Sequence, residues 1–171
     1  MKNPFKTNRK ENFRSALTRI GFNFFPAYRG TGARINFLSS DWRDVCVTIN
    51  LNWRTRNYVG TVFGGSIYAA ADPIYMIQLI NILGKEYVVW DKAASVKFLK
   101  PIKKRVYMRF LITDEILEEI IAKVKSEKKY TIDLTTNFQD ENGVIYSEVT
   151  KTIYIADKEY YKTRKTVNSD K

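Results

Sequence analysis

Residues 57–73, NYVGTVFGGSIYAAADP, decide how the rest of the chain is read. The stretch leaves a polar loop, passes through Gly64-Gly65 and enters an apolar run that reads as one helix from Gly64 to Leu83. A glycine pair is a poor start for a merely structural helix, and Asp72 puts a carboxylate where burial is costly. The helical neighbours of Asp72 are Tyr68, Ala69, Tyr75 and Met76. They offer little solvation, and a poorly solvated carboxylate holds a proton more readily, which suits a base or a nucleophile. Pro73 denies the Ala69 carbonyl its usual partner and disfavours helical geometry at Asp72, so a bend is predicted there. At the helix start, the N–H groups of Gly64 and Gly65 lie at the positive dipole end and can stabilise an oxyanion. Asn57 offers a donor and an acceptor to a water or a carbonyl. From Gly64 to Asp72 the helix climbs ~12 Å, too far for one reactive centre. The chemistry therefore asks for a second subunit, the carboxylate of one chain meeting the glycines of the other. A bland reading stands beside it: Asp72 can satisfy backbone groups freed at a kink, and Gly64-Gly65 can permit tight helix–sheet packing.

Working outward, composition narrows the chemistry. The 171 residues suffice for one domain, and 44% hydrophobic content with 3 Trp, 11 Tyr and 10 Phe supports a packed core. The single cysteine, Cys46, permits no internal disulfide, suits a reducing compartment and reads as a buried inert thiol in a strand. There is no histidine, which removes Ser-His-Asp and Cys-His mechanisms and nearly all zinc chemistry. Acid–base work falls to Asp, Glu, Lys, Tyr or water; no metal and no cofactor are expected. The net charge of +11 is spread out: six Lys/Arg in the first twenty residues, Lys97, Lys100, Lys103, Lys104 and Arg105, then Lys123, Lys125, Lys128 and Lys129. No nucleic-acid motif accompanies them, so nucleic acid is not an expected partner. They read either as a solvated lysine-rich surface or as a match for a phosphate-bearing partner, such as an acidic carrier protein. No apolar run of signal length follows the basic N-terminus, and Asp72, Gln78 and Asn81 interrupt the most apolar stretch. Neither a signal nor an integral membrane segment is expected, and the predicted location is cytoplasmic.

The chain divides into an arm with an amphipathic helix (1–32), one domain (33–156) and a polar tail (157–171). In the helix, Phe13, Leu17, Ile20 and Phe24 form one stripe, expected to cover a sheet edge; lying on a membrane is the other use of such a helix. Residues 33–39 and 45–51 alternate as strands, the latter with Val45, Val47, Ile49 and Leu51 on one face. After the long helix come strands at 87–99 and 105–113, a helix with the stripe Ile116, Leu117, Ile120, Ile121 and Val124, and a hairpin turning at Asp140-Glu141-Asn142-Gly143. The long helix is apolar nearly all round. This order predicts an α+β fold in which a continuous antiparallel sheet wraps one long central helix.

Asn57, Gly60, Thr61, Gly64, Gly65 and Asp72 also stand at the spacings of a family pattern, N-x2-G-T-x-H-G-G followed by an acid on the central helix. The chain resembles the hotdog-fold thioesterase superfamily, closest to its phenylacetyl-CoA and acyl-CoA thioesterase branch. SVKFLKP at 95–101 is similar to a strand of that family ending in an aromatic and a proline, and the likeness covers roughly 33–156. YVGTVFGG, ADP and WDKAASVKFLKP resemble a subgroup known as a domain of unknown function. The resemblance implies a hotdog homodimer, sometimes a dimer of dimers, with active sites between subunits. It also implies an acyl-CoA or acyl-carrier-protein substrate. Asp72 would be nucleophile or general base, Gly64 the polarising donor from the facing subunit, and Asn57 would position water or thioester. Phe63, Tyr68, Tyr75 and Met76 would line the acyl tunnel. Arg54, Arg56 and lysines 97–104 would meet the nucleotide phosphates. Two departures follow. Phe63 replaces the usual histidine, which alters the pocket. Asp91 stands where a Ser or Thr orients water, either as an auxiliary base or paired with Lys92 at a bulge. Both departures leave room for a non-catalytic acyl or acyl-CoA binder on the same fold.

Overall fold

The computed structural model describes residues 5–169, with side chains through 163. Residues 1–4 of the arm and 170–171 of the tail lie outside the described residues. Six strands form one antiparallel sheet: β1 (Ala33–Leu38), β2 (Asp44–Ile49), β3 (Tyr87–Phe98), β4 (Val106–Leu111), β5 (Lys129–Gln139) and β6 (Ile145–Asp157), in the order β1-β2-β4-β5-β6-β3. The inward faces of these strands pack on a central helix in two pieces, α3 (Gly64–Ala71) and α4 (Ile74–Leu83). The sheet is thus wrapped around the helix, the predicted hotdog architecture.

The helix is interrupted at Asp72-Pro73, which separate α3 from α4. Asp72 has right-handed helical dihedrals (φ −50°, ψ −55°), so the proline has not displaced it from helical geometry. What is lost is local: Pro73 has no N–H to give the Ala69 carbonyl. The neighbouring Ala70 carbonyl accepts from the buried Tyr28 hydroxyl at 3.2 Å, and burial raises the Tyr28 phenol above its ordinary value. Gly64–Leu83 is long and apolar enough by composition to cross a membrane. Here Ile67, Ala70, Ala71, Ile74 and Leu79 are buried against the sheet. Its polar Gln78 is buried too and donates to the carbonyls of Trp42 (2.7 Å) and Phe110 (3.2 Å), tying the helix to the sheet.

In β3 the pairing shifts between Asp91 and Ala93, so Lys92 forms a bulge. Asp91 opposes Ile153, while Ala94 opposes Lys151 and Val96 opposes Val149. The extra residue keeps Ala94, Val96 and Phe98 on the helix side, where unbroken alternation would have turned them outward.

Two elements differ from the sequence reading. The amphipathic helix α1 (Phe13–Phe24) does guard the β1 edge, but with polar groups rather than its apolar stripe. The Asn23 amide donates to the Ile35 carbonyl and accepts from the Ile35 N–H, both at 2.8 Å, as a neighbouring strand would. Phe13, Leu17, Ile20 and Phe24 remain exposed. A short helix, α2 (Pro26–Gly30), follows it. The polar tail is helical as α6 (Lys158–Ser169), with the Asp157 carboxylate accepting from the Tyr160 N–H at its start. The acid-to-lysine segment forms α5 (Asp114–Glu127), capped by Thr113.

Candidate active site

The loop before α3 is tied by Asn57. Its side chain donates to the Thr61 hydroxyl and accepts from the Thr61 N–H, both at 2.9 Å, while the Asn57 N–H reaches the Thr61 carbonyl at 2.8 Å. Gly60, at φ +81°, makes that turn without side-chain strain. The amide foreseen as a handle for water also holds the loop. Val62 and Phe63 then donate to the carbonyls of Ile102 and Thr55, delivering the chain to the helix start. The N–H groups of Gly64, Gly65 and Ser66 precede the first intrahelical bond, Ile67 to Phe63.

Both glycines lie close under aromatic neighbours. A Cβ on Gly65 would come within 2.3 Å of the Phe63 ring, and one on Gly64 within 3.1 Å of the Phe98 ring. Phe63, standing in the family's histidine position, lies over its own helix start. The loop and the SVKFLKP segment meet in a cleft of about 340 Å³ lined by Asn57, Gly64, Ile67, Phe98, Lys100 and Pro101. Two motifs more than thirty residues apart in sequence therefore build one cavity beside the glycine N–H groups.

Asp72 is not in that cleft. Nor is it the buried, unpartnered acid expected from its apolar neighbours: its side chain is 46% exposed, and Oδ1 accepts from the Lys151 ammonium at 2.7 Å. Lys151 lies on β6, is only 1% exposed, and also reaches Asp91 at 3.2 Å and the Tyr68 ring at 5.6 Å. Asp91 is therefore paired with Lys151 and not with Lys92, which lies instead over the Tyr154 ring. Burial raises the Asp91 carboxyl above its ordinary value, Lys151 opposes the rise, and Asp72 adds to it. Burial alone would lower the Lys151 ammonium, but Asp72 and Asp91 outweigh it and hold it above the ordinary value. Lys151 escaped the sequence reading, although a signal was present: in YSEVTKTIYI it shares the alternation of the inward Val149, Ile153 and Ile155.

The other foreseen residues separate. Tyr75 is in the core, its ring edge-on to Phe110 at 4.9 Å and its hydroxyl bonded to the Thr135 carbonyl at 3.1 Å. Its phenol is raised by burial. Met76 is half-buried and packs on that core, while Phe63 and Tyr68 are exposed. Gly65, Tyr68, Asp72, Met76 and Ile80 make one open stripe at helical spacing along α3 and α4, with the carboxylate in its middle. Arg54 stacks on Trp53 at 4.8 Å, and Arg56 lies against Gly60. Of the cations at 97–104, Lys97 is engaged by Glu148 and Lys104 by Asp140, whereas Lys100 lines the cleft.

A hotdog sheet, a glycine-started central helix and a mid-helix carboxylate define the class of protein. The sequence belongs to the family described as Domain of unknown function (DUF4442), whose model matches residues 14–155. Among solved structures, a probable thioesterase of Pseudomonas aeruginosa superposes with a TM-score of 0.71 at 16% identity, over 83% of this chain and 95% of that one. A thioesterase from Haemophilus influenzae gives 0.62 at 14% identity over 88% and 96%. A mutant of the phenylacetic acid degradation protein PaaI from Thermus thermophilus gives 0.53 at 16% identity over 76% and 98%. At these identities the likeness establishes the fold. No curated protein matches the sequence.

Proposed function

We propose that the protein hydrolyses acyl thioesters carried on coenzyme A or an acyl carrier protein, at sites formed between two copies of the chain. The observation that carries this reading is the placement of Asp72: a half-exposed carboxylate in the middle of an otherwise apolar open stripe, ~12 Å along the helix from Gly64. Asp72 takes a proton from water as the water oxygen attacks the acyl carbon, or attacks that carbon itself to give an anhydride that water then cleaves to the free acid. The carbonyl oxygen gains the electron pair and is met by the Gly64 and Gly65 N–H groups of the partner subunit, and the thiolate departs. Lys151 fixes the Asp72 rotamer through Oδ1. Tyr68, Met76 and Phe63 flank the acyl chain, and the cleft at Phe98 and Lys100 takes the carrier end, with Arg54 and Arg56 available to its phosphates. Asp91 acts through Lys151 as an auxiliary group. The names carried by structural neighbours accord with this chemistry.

A panel of short, aromatic and long acyl-CoAs tests it. Turnover of at least one class is expected, and Asp72→Asn should lower kcat at least about hundredfold. An Asp72→Asn variant as fast as wild type sinks the mechanism. A second reading, an acyl-CoA binder without turnover, is favoured by the ammonium held 2.7 Å from Asp72, which engages one of the two carboxylate oxygens. Calorimetry separates the two, since the binder should show tight association that Asp72→Asn leaves unchanged.

A further inference from the structure

The side of α1 that meets β1 is mixed: Phe22 packs on the core, and polar groups stand around it. Ser15 is buried there and Asn23 is committed to the Ile35 backbone. Four other apolar residues occupy the opposite side. Phe13, Leu17, Ile20 and Phe24 are 83%, 59%, 45% and 67% exposed, and at 3.6 residues per turn they fall within about 60° of one another. Phe25 is exposed at the helix end, and an open apolar groove of about 490 Å³, lined by Thr18, Gly21, Phe22 and Phe25, continues the strip. A surface helix ordinarily aims its apolar stripe at the core. This one aims it at solvent, the arrangement of a helix that lies in a membrane interface.

The charges around the stripe have one sign. Lys6, Lys10, Arg14 and Arg29, within α1 or near its ends in the chain, are exposed, and α1 itself contains no acid. The nearby acids are engaged, Glu11 by Arg19 and Asp41 by Arg9. We infer that α1 seats the protein on an anionic lipid surface, with Phe13, Leu17, Ile20 and Phe24 entering the interface and the four cations meeting head groups. A second copy suits the stripe less well, because stripe-to-stripe pairing would bring the same four cations together. The stripe flanks β1, at the opposite edge of the sheet from β3. It stands apart from Asp72 and from the glycine cleft, so the inference does not rest on the proposed hydrolysis.

Flotation of the full chain with two kinds of vesicle tests it, phosphatidylcholine alone and phosphatidylcholine with phosphatidylserine. Binding is expected to the mixed vesicles, to weaken as salt is raised, and to be faint on phosphatidylcholine alone. Phe13→Ser/Leu17→Ser/Phe24→Ser should lower vesicle affinity at least about tenfold with an unchanged Tm, since these side chains are exposed. Lys6→Gln/Lys10→Gln/Arg14→Gln should abolish the preference for phosphatidylserine. Absence of flotation with either vesicle overturns the inference, as does flotation that the serine variant retains. It is equally overturned if sedimentation without lipid shows wild-type self-association that the serine variant loses, because a second copy then covers the stripe.

Discussion

Lys151 carries two acids at a position where its strand neighbours Val149 and Ile153 are hydrocarbon. Removing it strands Asp91 beside Asp72 with no counter-ion. Breaking a fully buried pair from one side costs about 3–5 kcal/mol; with Asp72 half exposed, Lys151→Met should cost about 2 kcal/mol in urea denaturation at neutral pH. Adding Asp91→Asn should recover part of that loss. The folded-state ammonium is held above its ordinary 10.5, so its contribution is fully present below that value and is lost as pH rises through the higher folded value. On the alkaline side, the stability gap between wild type and Lys151→Met should therefore persist until strong alkali. A gap that closes near neutrality would show that the ion pairs contribute little. Gly65 gives a second residue-scale test. Gly65→Ala must push the Phe63 ring aside, and because that ring is exposed the cost should stay under about 1 kcal/mol. In a Phe63→Ala background the same substitution should be nearly neutral, a coupling that a double-mutant cycle reads directly.

Among the elements, those whose hydrophobic period matches the core were legible from sequence: β2, α5, the β5–β6 hairpin and the central helix lie where alternation and helical spacing put them. The bulge at Lys92 was legible only as a condition, since alternation cannot say where a ladder slips. What periodicity could not reveal is direction. The stripe of α1 was plain, but a stripe records that one side is apolar and not that this side faces inward. The side bearing Asn23 and the core-packed Phe22 won the sheet edge, and Asn23 satisfies two backbone groups there that apolar side chains would leave bare. Asn23→Ala should accordingly cost about 1–2 kcal/mol and speed hydrogen exchange at the Ile35 amide. Of the candidate site, Asp72 and the glycines could be read from spacing, while Lys151 was overlooked because buried lysines are rare enough to be assumed exposed. The hairpin offers a pH test. The Lys104 ammonium and the N–H groups of Val144 and Asn142 hold the Asp140 carboxyl down from 3.8 to about 2. An acid depressed in the folded state stabilises above its unfolded pKa and loses that contribution as pH falls through the folded one. Wild type should be more stable than Asp140→Asn above pH 3.8, with the difference vanishing as pH approaches about 2.

At the scale of the whole molecule, the separation between Asp72 and its nearest candidate oxyanion donors becomes a statement about assembly. A single chain presents the glycine cleft in one place and the carboxylate, on an open stripe, in another. If a symmetric pair brings them together, each dimer has two sites, and each site takes Asp72 from one chain and Gly64 from the other. Two inactive variants then complement each other. Asp72→Asn lacks the carboxylate, and Gly64→Val drives a side chain into the Phe98 ring, which a Cβ alone would meet at 3.1 Å. In a heterodimer of the two, one site carries both defects and the other carries neither. Equal mixing with free subunit exchange makes half the dimers mixed, so thioesterase activity should return to about a quarter of wild type. Sites built within one chain predict no recovery at any mixing ratio, because every Asp72 that survives would sit beside a blocked Gly64. The activity of the mixture, measured against each variant alone and against a wild-type sample exchanged in the same way, decides between the two arrangements.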